Sequence, residues 1–343
     1  MKSKSEKTKN SILFAATVLL SGHLFAQTTD PTDNMQNVKS LHTYYYEVYD
    51  VEMKKGKVRF YKKRKTLFHS LFEYDTNGNQ TLKNYYNPST DKLHESYVYT
   101  YDSNNRMTGE TYILQGRILG GKTLHFYDKE GRKSQTEIYN NKEELKHRIR
   151  YAYDSLGNLA TEQTRNSVNM VIKELEYQYD ERGNQIEVVN RKTSFLRSNE
   201  PYREIKSYDS LNRLISRIHY KNDVLEWTYT ATYNADNQLV MEQTTDGRNK
   251  VMSEVRYAYD KKDRLSETVN FEASHPAFSP MRTVYSYNKK GQNDKRTIYV
   301  RNSPTPSVTR HYYFDEHGNW TMWLETNHVD GEKAIGARRV VYF

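Results

Sequence analysis

The sequence predicts an all-β repeat protein, and three observations carry this prediction. The dipeptide Tyr-Asp, or a close variant of it, recurs along the chain at intervals of 25 to 29 residues, with a period of about 26. The residue three positions after its Asp or Asn is always Gly, Asn or Asp, the types that adopt positive φ at least steric cost. Tyr, with 31 of the 343 residues, is concentrated just before these motifs, so aromatic side chains recur with the same period.

Each motif is interpreted as the turn of a β-hairpin. An Asp or Asn at the first turn position can accept a hydrogen bond from the backbone two residues on, and a left-handed fourth residue then reverses the chain. Ten copies fit this pattern. Their first positions, called anchors below, are Asp75, Asp102, Asp128, Asp154, Asp180, Asp209, Asn234, Asp260, Asn288 and Asp315, and their fourth positions are Gly78, Asn105, Gly131, Gly157, Gly183, Asn212, Asn237, Asp263, Gly291 and Gly318.

The aromatic residues before each turn predict a ladder on one face of the sheet. The residue before the anchor is Tyr in nine copies and Phe314 in the tenth, and seven copies have a second aromatic residue two positions earlier. Side chains two apart on a strand share a face, and aromatic pairs on adjacent strands each add about 0.5 to 1 kcal/mol. His125, Lys206 and Ala231 interrupt the ladder, so we expect looser packing there.

The expected architecture is one twisted, curved sheet of about ten antiparallel hairpins, with the tyrosine-lined face inward. A period of this length is typical of proteins in which one supersecondary unit stacks on copies of itself. We place this repeat domain at residues 41–343, as one continuous domain. A degenerate further copy is expected at Tyr49-Asp50, with its turn closed at Gly56.

The N-terminal segment predicts export. Residues 1–26 have a basic start, a largely apolar stretch and Ala26 at the end, as signal peptides do. The apolar stretch is shorter than the roughly 20 residues of a transmembrane helix, so no transmembrane segment is expected. Residues 27–40, rich in Thr, Asp and Asn, are expected to be a disordered leader. Because the chain has no Cys for lipid attachment, we expect a secreted, periplasmic or cell-surface protein.

The turn motif resembles that of the bacterial YD-repeat family, also called RHS repeats, which is close to Tyr-Asp-x-x-Gly-Arg/Asn-Leu. The best copies are YDSLGNL at residues 153–159, YDSLNRL at 208–214 and YDKKDRL at 259–265. The resemblance implies a secreted or surface-exposed β-structure, with carbohydrate binding in some members and a hollow shell around a C-terminal toxin in large ones. We expect too few repeats here to close such a shell, and no room for a toxin after Asp315.

Motifs for enzyme chemistry are weak. Residues 116–123, GRILGGKT, match the phosphate-binding pattern G-x-x-x-x-G-K-[ST], but that loop needs a helix after it. Residues 124–128, directly after the match, are instead typical of a strand. The 11 His lack metal-ligand spacing, and no nucleophile, base and acid form a recognisable set. We therefore expect no enzyme, no cofactor, no metal and no nucleic-acid partner.

Two groups of side chains are candidates for ligand binding. Trp227, Trp320 and Trp323 could stack on sugar rings, although core packing or a C-terminal cap is the interpretation we favour, with Trp320 and Trp323 on opposite faces. Lys62 and Arg64 belong to a basic run at residues 54–65 that could hold an anionic polysaccharide. For this run we favour a charged cap that prevents edge-to-edge aggregation at the end of the array.

The formal net charge of +9, the aromatic face and the resemblance together lead to a functional hypothesis. We expect a non-enzymatic module that binds cell-surface or environmental carbohydrate. The alternative is a protein-interaction or structural element of the cell envelope, which would use strand edges and loops. The identity of the ligand, the closure of the sheet and the oligomeric state stay open at this point.

Overall fold

The fold is all-β. The computed structural model describes residues 37–54, 57–115, 118–191 and 200–343, with the backbone alone at residues 46–54, 57–68 and 118. The predicted signal peptide, most of the predicted leader and Gly56 lie outside the described residues.

One sheet contains 22 strands. They are β1 Val38–Lys54, β2 Lys57–Tyr74, β3 Gln80–Tyr86, β4 Leu93–Tyr101, β5 Met107–Leu114, β6 Ile118–Tyr127, β7 Lys133–Asn140, β8 Leu145–Tyr153, β9 Leu159–Asn166, β10 Val171–Tyr179, β11 Gln185–Arg191, β12 Tyr202–Tyr208, β13 Leu214–Lys221, β14 Val224–Tyr233, β15 Leu239–Asp246, β16 Val251–Tyr259, β17 Leu265–Glu272, β18 Met281–Tyr287, β19 Asn293–Val300, β20 Val308–Phe314, β21 Trp320–Asn327 and β22 Lys333–Tyr342.

The sheet is closed. β1 pairs with β2 on one side and with β22 on the other, with Val38 opposite Tyr342 and Val48 opposite Lys333. Every other pairing joins consecutive strands, all antiparallel. The prediction of one twisted, curved sheet of hairpin repeats is therefore wrong, and the closure that the sequence left undecided is present. The fold is a 22-stranded barrel, and closure depends on twist and stagger summed over all strands rather than on any single hairpin.

The first hairpin is longer than the others. β1 has 17 residues and β2 has 18, but β1 pairs with β22 only up to Val48 and β2 pairs with β3 only from Ser70. Beyond these points the two strands pair only with each other, as a two-stranded ribbon. Tyr49 and Asp50 lie inside β1, so the turn expected there is wrong. β1 already begins at Val38, upstream of the predicted start of the array at residue 41.

The ten Tyr-Asp turns share one geometry and form one rim of the barrel, the Tyr-Asp rim. At the first of them, the Gly78 N–H donates to the Asp75 carbonyl oxygen at 3.0 Å, and the Asn77 and Asn79 N–H groups both donate to Asp75 Oδ1 at 2.9 Å. The fourth residue has a φ between 59° and 91° in all ten turns. Gly, Asn and Asp stand there because they tolerate this conformation.

In eight of the ten copies, the tyrosine before the anchor ties its hairpin to the preceding one. The Tyr153 hydroxyl donates to the carbonyl oxygen of Lys133 at 2.8 Å. Lys133 is the first residue of β7, whereas β7 and β8 pair only from Gln135 and Arg150 onward, so the hydroxyl bridges strands that diverge at this rim. The same bond, 2.7 to 3.1 Å long, joins Tyr101 to Gln80, Tyr127 to Met107, Tyr179 to Leu159, Tyr208 to Gln185, Tyr233 to Leu214, Tyr259 to Leu239 and Tyr287 to Leu265.

In four copies an arginine couples the turn to the next ladder position. Arg132 Nε donates to Asp128 Oδ2 at 2.9 Å, and its guanidinium lies 4.5 Å from the ring centroid of Tyr153. One arginine side chain thereby makes a charge-assisted hydrogen bond to the anchor and a cation–π contact with the tyrosine of the next copy. Equivalent contacts are made by Arg106 with Tyr127, Arg213 with Tyr233 and Arg264 with Tyr287, at 4.2 to 4.6 Å.

The face that carries the ladder, the tyrosine face, is the more sheltered one. Residues between the ladder positions, such as Ala152 and Gln178, are exposed. Most of the buried residues, among them Leu175 and Val188, belong to the tyrosine face. Side chains converge on the concave side of a closed sheet, which accounts for this difference. Packing is densest near the closure, where Ile335 is 0% exposed.

Removing one bridging hydroxyl should destabilise the fold. We expect Tyr153→Phe to lower the free energy of unfolding by about 1 kcal/mol, because the Lys133 carbonyl loses its donor. Tyr299→Phe is the matched control, since the Tyr299 ring stacks on Arg282 but its hydroxyl has no hydrogen bond to any described residue. Urea unfolding followed by circular dichroism measures both variants. Equal losses would contradict the bridging role.

The anchor carboxylates predict acid lability. The hydrogen bond from Arg264 lowers the pKa of Asp260 to about 2. A carboxyl whose pKa is lowered by folding contributes stability above its unfolded pKa, and that stability is lost as the pH falls through the folded pKa. We expect the melting temperature to fall from about pH 4 towards pH 2. Asp260→Asn should weaken the dependence of the melting temperature on pH while keeping the turn, because Asn234 forms the same turn in its own copy. An unchanged pH profile in Asp260→Asn would contradict the role of this carboxylate.

Candidate functional site

Of the three tryptophans, Trp227 alone is partly open to solvent. Trp320 and Trp323 are 3% and 7% exposed and pack with Tyr312 and Ala334 in one cluster near the closure. The expectation that these two rings lie on opposite faces is wrong, because a β-bulge next to Phe314 turns Trp320 towards the side of Trp323. We therefore do not include Trp320 or Trp323 in a binding surface.

The basic run lies at the far end of the first hairpin. Lys62 is paired with Asp50 in the ribbon, and Arg64 lies on the same strand, β2. The closed sheet has no terminal strand to cap, and the run lies instead in the ribbon; its role against edge-to-edge aggregation stays a prediction. The described part of the phosphate-loop match, residues 118–123, belongs to β6, which is followed by the strand β7.

A stack of three rings crosses β12, β13 and β14 on the tyrosine face. The centroids of Tyr202 and His219 are 5.4 Å apart with an interplanar angle of 27°, and those of His219 and Trp227 are 4.8 Å apart at 1°. The stack lies beside the two interruptions of the ladder at Lys206 and Ala231. Where the regular ladder fails, a second aromatic row replaces it, closer to the opposite rim of the barrel.

Two polar atoms at this stack are unsatisfied. The Arg217 guanidinium lies 5.0 Å from the Trp227 ring centroid and 5.5 Å from that of Tyr229. Arg217 Nε is buried without a hydrogen-bond partner, and so is His219 Nδ1. The nearest acid to His219 Nδ1 is Glu204, at 3.9 Å. Buried polar atoms are normally satisfied, so two neighbouring exceptions mark a place where a bound molecule could supply the missing partners.

A carboxylate next to the stack, that of Glu242, already accepts hydrogen bonds from neighbouring side chains. Glu242 accepts hydrogen bonds from the Tyr229 and Tyr257 hydroxyls, both at 2.5 Å. It stands opposite Ala231, whose short side chain leaves room for the two phenols to meet there. Burial, followed by the hydrogen bond to Glu242, raises the pKa of both Tyr229 and Tyr257 well above the ordinary value of 10. These bonds fix the Tyr229 ring beside Arg217.

A second polar cluster lies on the opposite face of the sheet. His69 is 5% exposed, and its ring stacks between Tyr44 at 4.2 Å and Tyr86 at 4.1 Å. Its Nδ1 lies 2.6 Å from Asp91 Oδ1, and Asp91 has a φ of 55° in the turn before β4. The pair ties β2 to the connection between β3 and β4, which is a structural role.

Sequence reasoning named Trp227 but missed its neighbours. Arg217 and Glu242 occupy the same repeat position, eight residues after their anchors, where Lys83, Glu110 and Arg296 also stand. The sequence did contain a signal for these residues, since charged residues recur at one repeat position on the tyrosine face. Comparing the eighth residue after each anchor across the copies would have found them.

Comparisons with known proteins identify no family. No family model matches the chain, and no curated protein matches it. Several solved structures are similar to this chain in part, among them the three that follow. The TcdB2-TccC3-Cdc42 structure has a TM-score of 0.40 at 14% identity, covering 85% of this chain and 16% of that one. The Tc holotoxin pore of Photorhabdus luminescens has a TM-score of 0.36 at 15% identity, covering 76% and 15%. A porin-like protein from Bacteroides uniformis has a TM-score of 0.30 at 7% identity, covering 92% and 100%.

All three TM-scores are below 0.5, so we base no argument on these likenesses. This chain spans about a sixth of the Tc toxin chains that it matches. In the part of the chain that the structure describes, no helix is long and apolar enough to cross a membrane.

The tyrosine face predicts alkaline lability. Burial raises the pKa of Tyr99 to about 12, and burial together with the hydrogen bond to Glu242 raises the pKa values of Tyr229 and Tyr257. A group whose pKa is raised by folding contributes stability that is complete below its unfolded pKa and is lost as the pH rises through the folded pKa. We expect the melting temperature to fall above about pH 10, with tyrosinate absorbance rising in one cooperative step. Gradual ionisation near pH 10 in an intact fold would contradict this.

Proposed function

We propose that this chain is an exported, non-enzymatic repeat protein that binds carbohydrate of the cell surface or the environment. The observation that carries the proposal is the half-buried indole of Trp227, stacked on His219 and flanked by Arg217, whose Nε has no partner. Sugar rings pack against aromatic side chains, while their hydroxyls bond to the polar groups around them. Trp227, Arg217 and His219 supply both kinds of contact on one surface, called the Trp227 surface below.

The position of the Trp227 surface supports binding of an extended ligand. Tyr202 is the first residue of β12, and Trp227 is the fourth of β14, so both lie near the rim opposite the Tyr-Asp turns. Two long inter-hairpin connections in the described structure, residues 273–280 and 301–307, belong to the same rim. Connections of this kind carry specificity in repeat proteins. A ligand that reaches the surface from this rim could therefore contact several repeats.

The carboxylates around the surface support the non-enzymatic part of the proposal. A retaining or inverting glycosidase uses two carboxyl groups that are free to exchange protons or attack the sugar. Glu242 accepts two tyrosine hydroxyls, and Glu204 lies 3.6 Å from Lys206 Nζ. Both are thus engaged with neighbouring side chains.

A second candidate is a protein-interaction or structural element of the cell envelope. The ribbon at the end of the first hairpin favours it, because β1 beyond Val48 and β2 before Ser70 pair only with each other. Each strand of the ribbon therefore has one edge without a neighbouring strand in the described structure. An extended segment of another protein could add to such an edge.

Carbohydrate binding is tested with the chain from Gln27 onward on a broad glycan array, followed by calorimetry. We expect saturable binding that Trp227→Ala weakens about tenfold or more, a loss of ~1.4 kcal/mol in binding free energy. Phe271→Ala is the control, since Phe271 is an exposed aromatic residue, at 40%, on the opposite face. A folded protein that binds no glycan would refute the proposal, and a pull-down with the ribbon deleted would then test the second candidate.

A further inference from the structure

We infer that the carbohydrate held at the Trp227 surface carries a carboxylate, as uronic acid residues do, and that Arg217 binds this carboxylate. The inference rests on the proposed function, since it names the class of ligand for the same surface. It starts from the pairing of β12 with β13, in which Arg217 stands directly opposite Lys206. Like charges directly opposite each other on adjacent strands are destabilising. An anion bound between them would remove that cost.

Lys206 already has polar partners, whereas Arg217 contacts two aromatic rings but has no hydrogen-bond or ion-pair partner among the described residues. Lys206 Nζ donates to Gln185 Oε1 at 2.5 Å and lies 3.6 Å from Glu204. Among the described residues, Arg217 has no carboxylate within ion-pair distance, and its Nε is buried without an acceptor. Two flanking rings limit its motion, those of Trp227 and Tyr229. Its charge is therefore held in place and uncompensated.

The same chain contains a comparable but satisfied arrangement of an arginine on an indole, at a different repeat position. Arg310 stacks over Trp323 at 4.2 Å, much as Arg217 stacks over Trp227. The Arg310 guanidinium, however, donates from Nε at 2.9 Å and from a terminal nitrogen at 2.5 Å to Glu325. Arg217 lacks the equivalent of Glu325. A carboxylate brought by a ligand would complete the indole, guanidinium and carboxylate set that the protein builds for itself at Arg310.

The other acids near Arg217 do not fill this place. Glu242 is held by two tyrosine hydroxyls, and Glu204 by Lys206. Glu226 lies 3.4 Å from His219 Nε2, on the side of the imidazole away from Nδ1. His219 Nδ1, two residues from Arg217 on β13, has no hydrogen-bond partner among the described residues, and a sugar hydroxyl would supply one. A planar carboxylate suits the guanidinium fork better than a neutral hydroxyl does, because charge-assisted bonds are stronger.

The test compares one acidic oligosaccharide with its carboxyl-reduced, neutral counterpart, by calorimetry on the chain from Gln27 onward. An oligouronate and the same oligosaccharide reduced to neutral sugars differ only in the charged group. We expect the acidic form to bind about tenfold or more tightly than the neutral one, and its affinity to fall with added salt. Arg217→Gln should bring both forms to the affinity of the neutral one, and Arg217→Lys should recover only part of the preference.

The controls separate this inference from the proposed function. Arg282→Gln removes an arginine stacked on Tyr299 on the opposite face and should leave the preference intact. Arg217→Gln should melt no lower than the wild type, because the substitution relieves the like-charge pair with Lys206. Equal binding of acidic and neutral forms, lost in Trp227→Ala, would overturn the inference and leave carbohydrate binding standing. Preference for a sulfated glycan over the uronate would also overturn the inference that the ligand carries a carboxylate. A folded protein that binds neither the acidic nor the neutral form would refute both this inference and the proposed function.

Discussion

The hydrogen bond from a ladder tyrosine to the first carbonyl of the preceding hairpin's return strand is the interaction on which the rest of the structure depends. Strands of one hairpin are joined by their turn, but successive hairpins diverge at the Tyr-Asp rim, as β7 and β8 do beyond Gln135 and Arg150. The hydroxyl of Tyr153 spans this gap with one bond, and Arg132 fixes the same ring from the turn before it. Repeated around the rim, this contact sets the spacing of one hairpin to the next.

At the closure, other hydrogen bonds replace the tyrosine bond, because the last copy has Phe314, which has no hydroxyl, in place of Tyr. Tyr342 of β22 donates to Asp315 Oδ2 at 2.7 Å and accepts from Asn319 Nδ2 at 2.8 Å. Arg338 adds a bond from Nε to the Trp320 carbonyl oxygen at 3.0 Å. The final turn is thus fastened to the strand that meets β1, and the largest buried rings are collected beside this junction.

Much of the fold could be predicted from the sequence, since turns and strands follow from rules that act over a few residues. The positive φ at Gly78 and its equivalents and the shared face of the tyrosines are of this kind. Tyr49-Asp50 lacks a residue suited to positive φ at Met53, so the same rule, applied strictly, would have excluded a turn there. Closure is different in kind, because a hairpin has the same local pattern in an open array and in a barrel. Only the pairing of β1 with β22, nearly the whole chain apart, distinguishes them.

The candidate site was predictable only in part, and for a related reason. The scarcity of Trp pointed to Trp227, but the unsatisfied state of Arg217 depends on which strand faces which. In a repeat protein, each copy supplies a reference for the others, so a departure from the pattern can be assigned a cause. Lys206 and Ala231 mark where the ladder is interrupted. Arg310 with Glu325, at another repeat position, shows a guanidinium on an indole with its carboxylate in place. Arg217, stacked on two rings beside the interrupted ladder but without an acceptor for its buried Nε, is such a departure, and function is therefore to be sought there first.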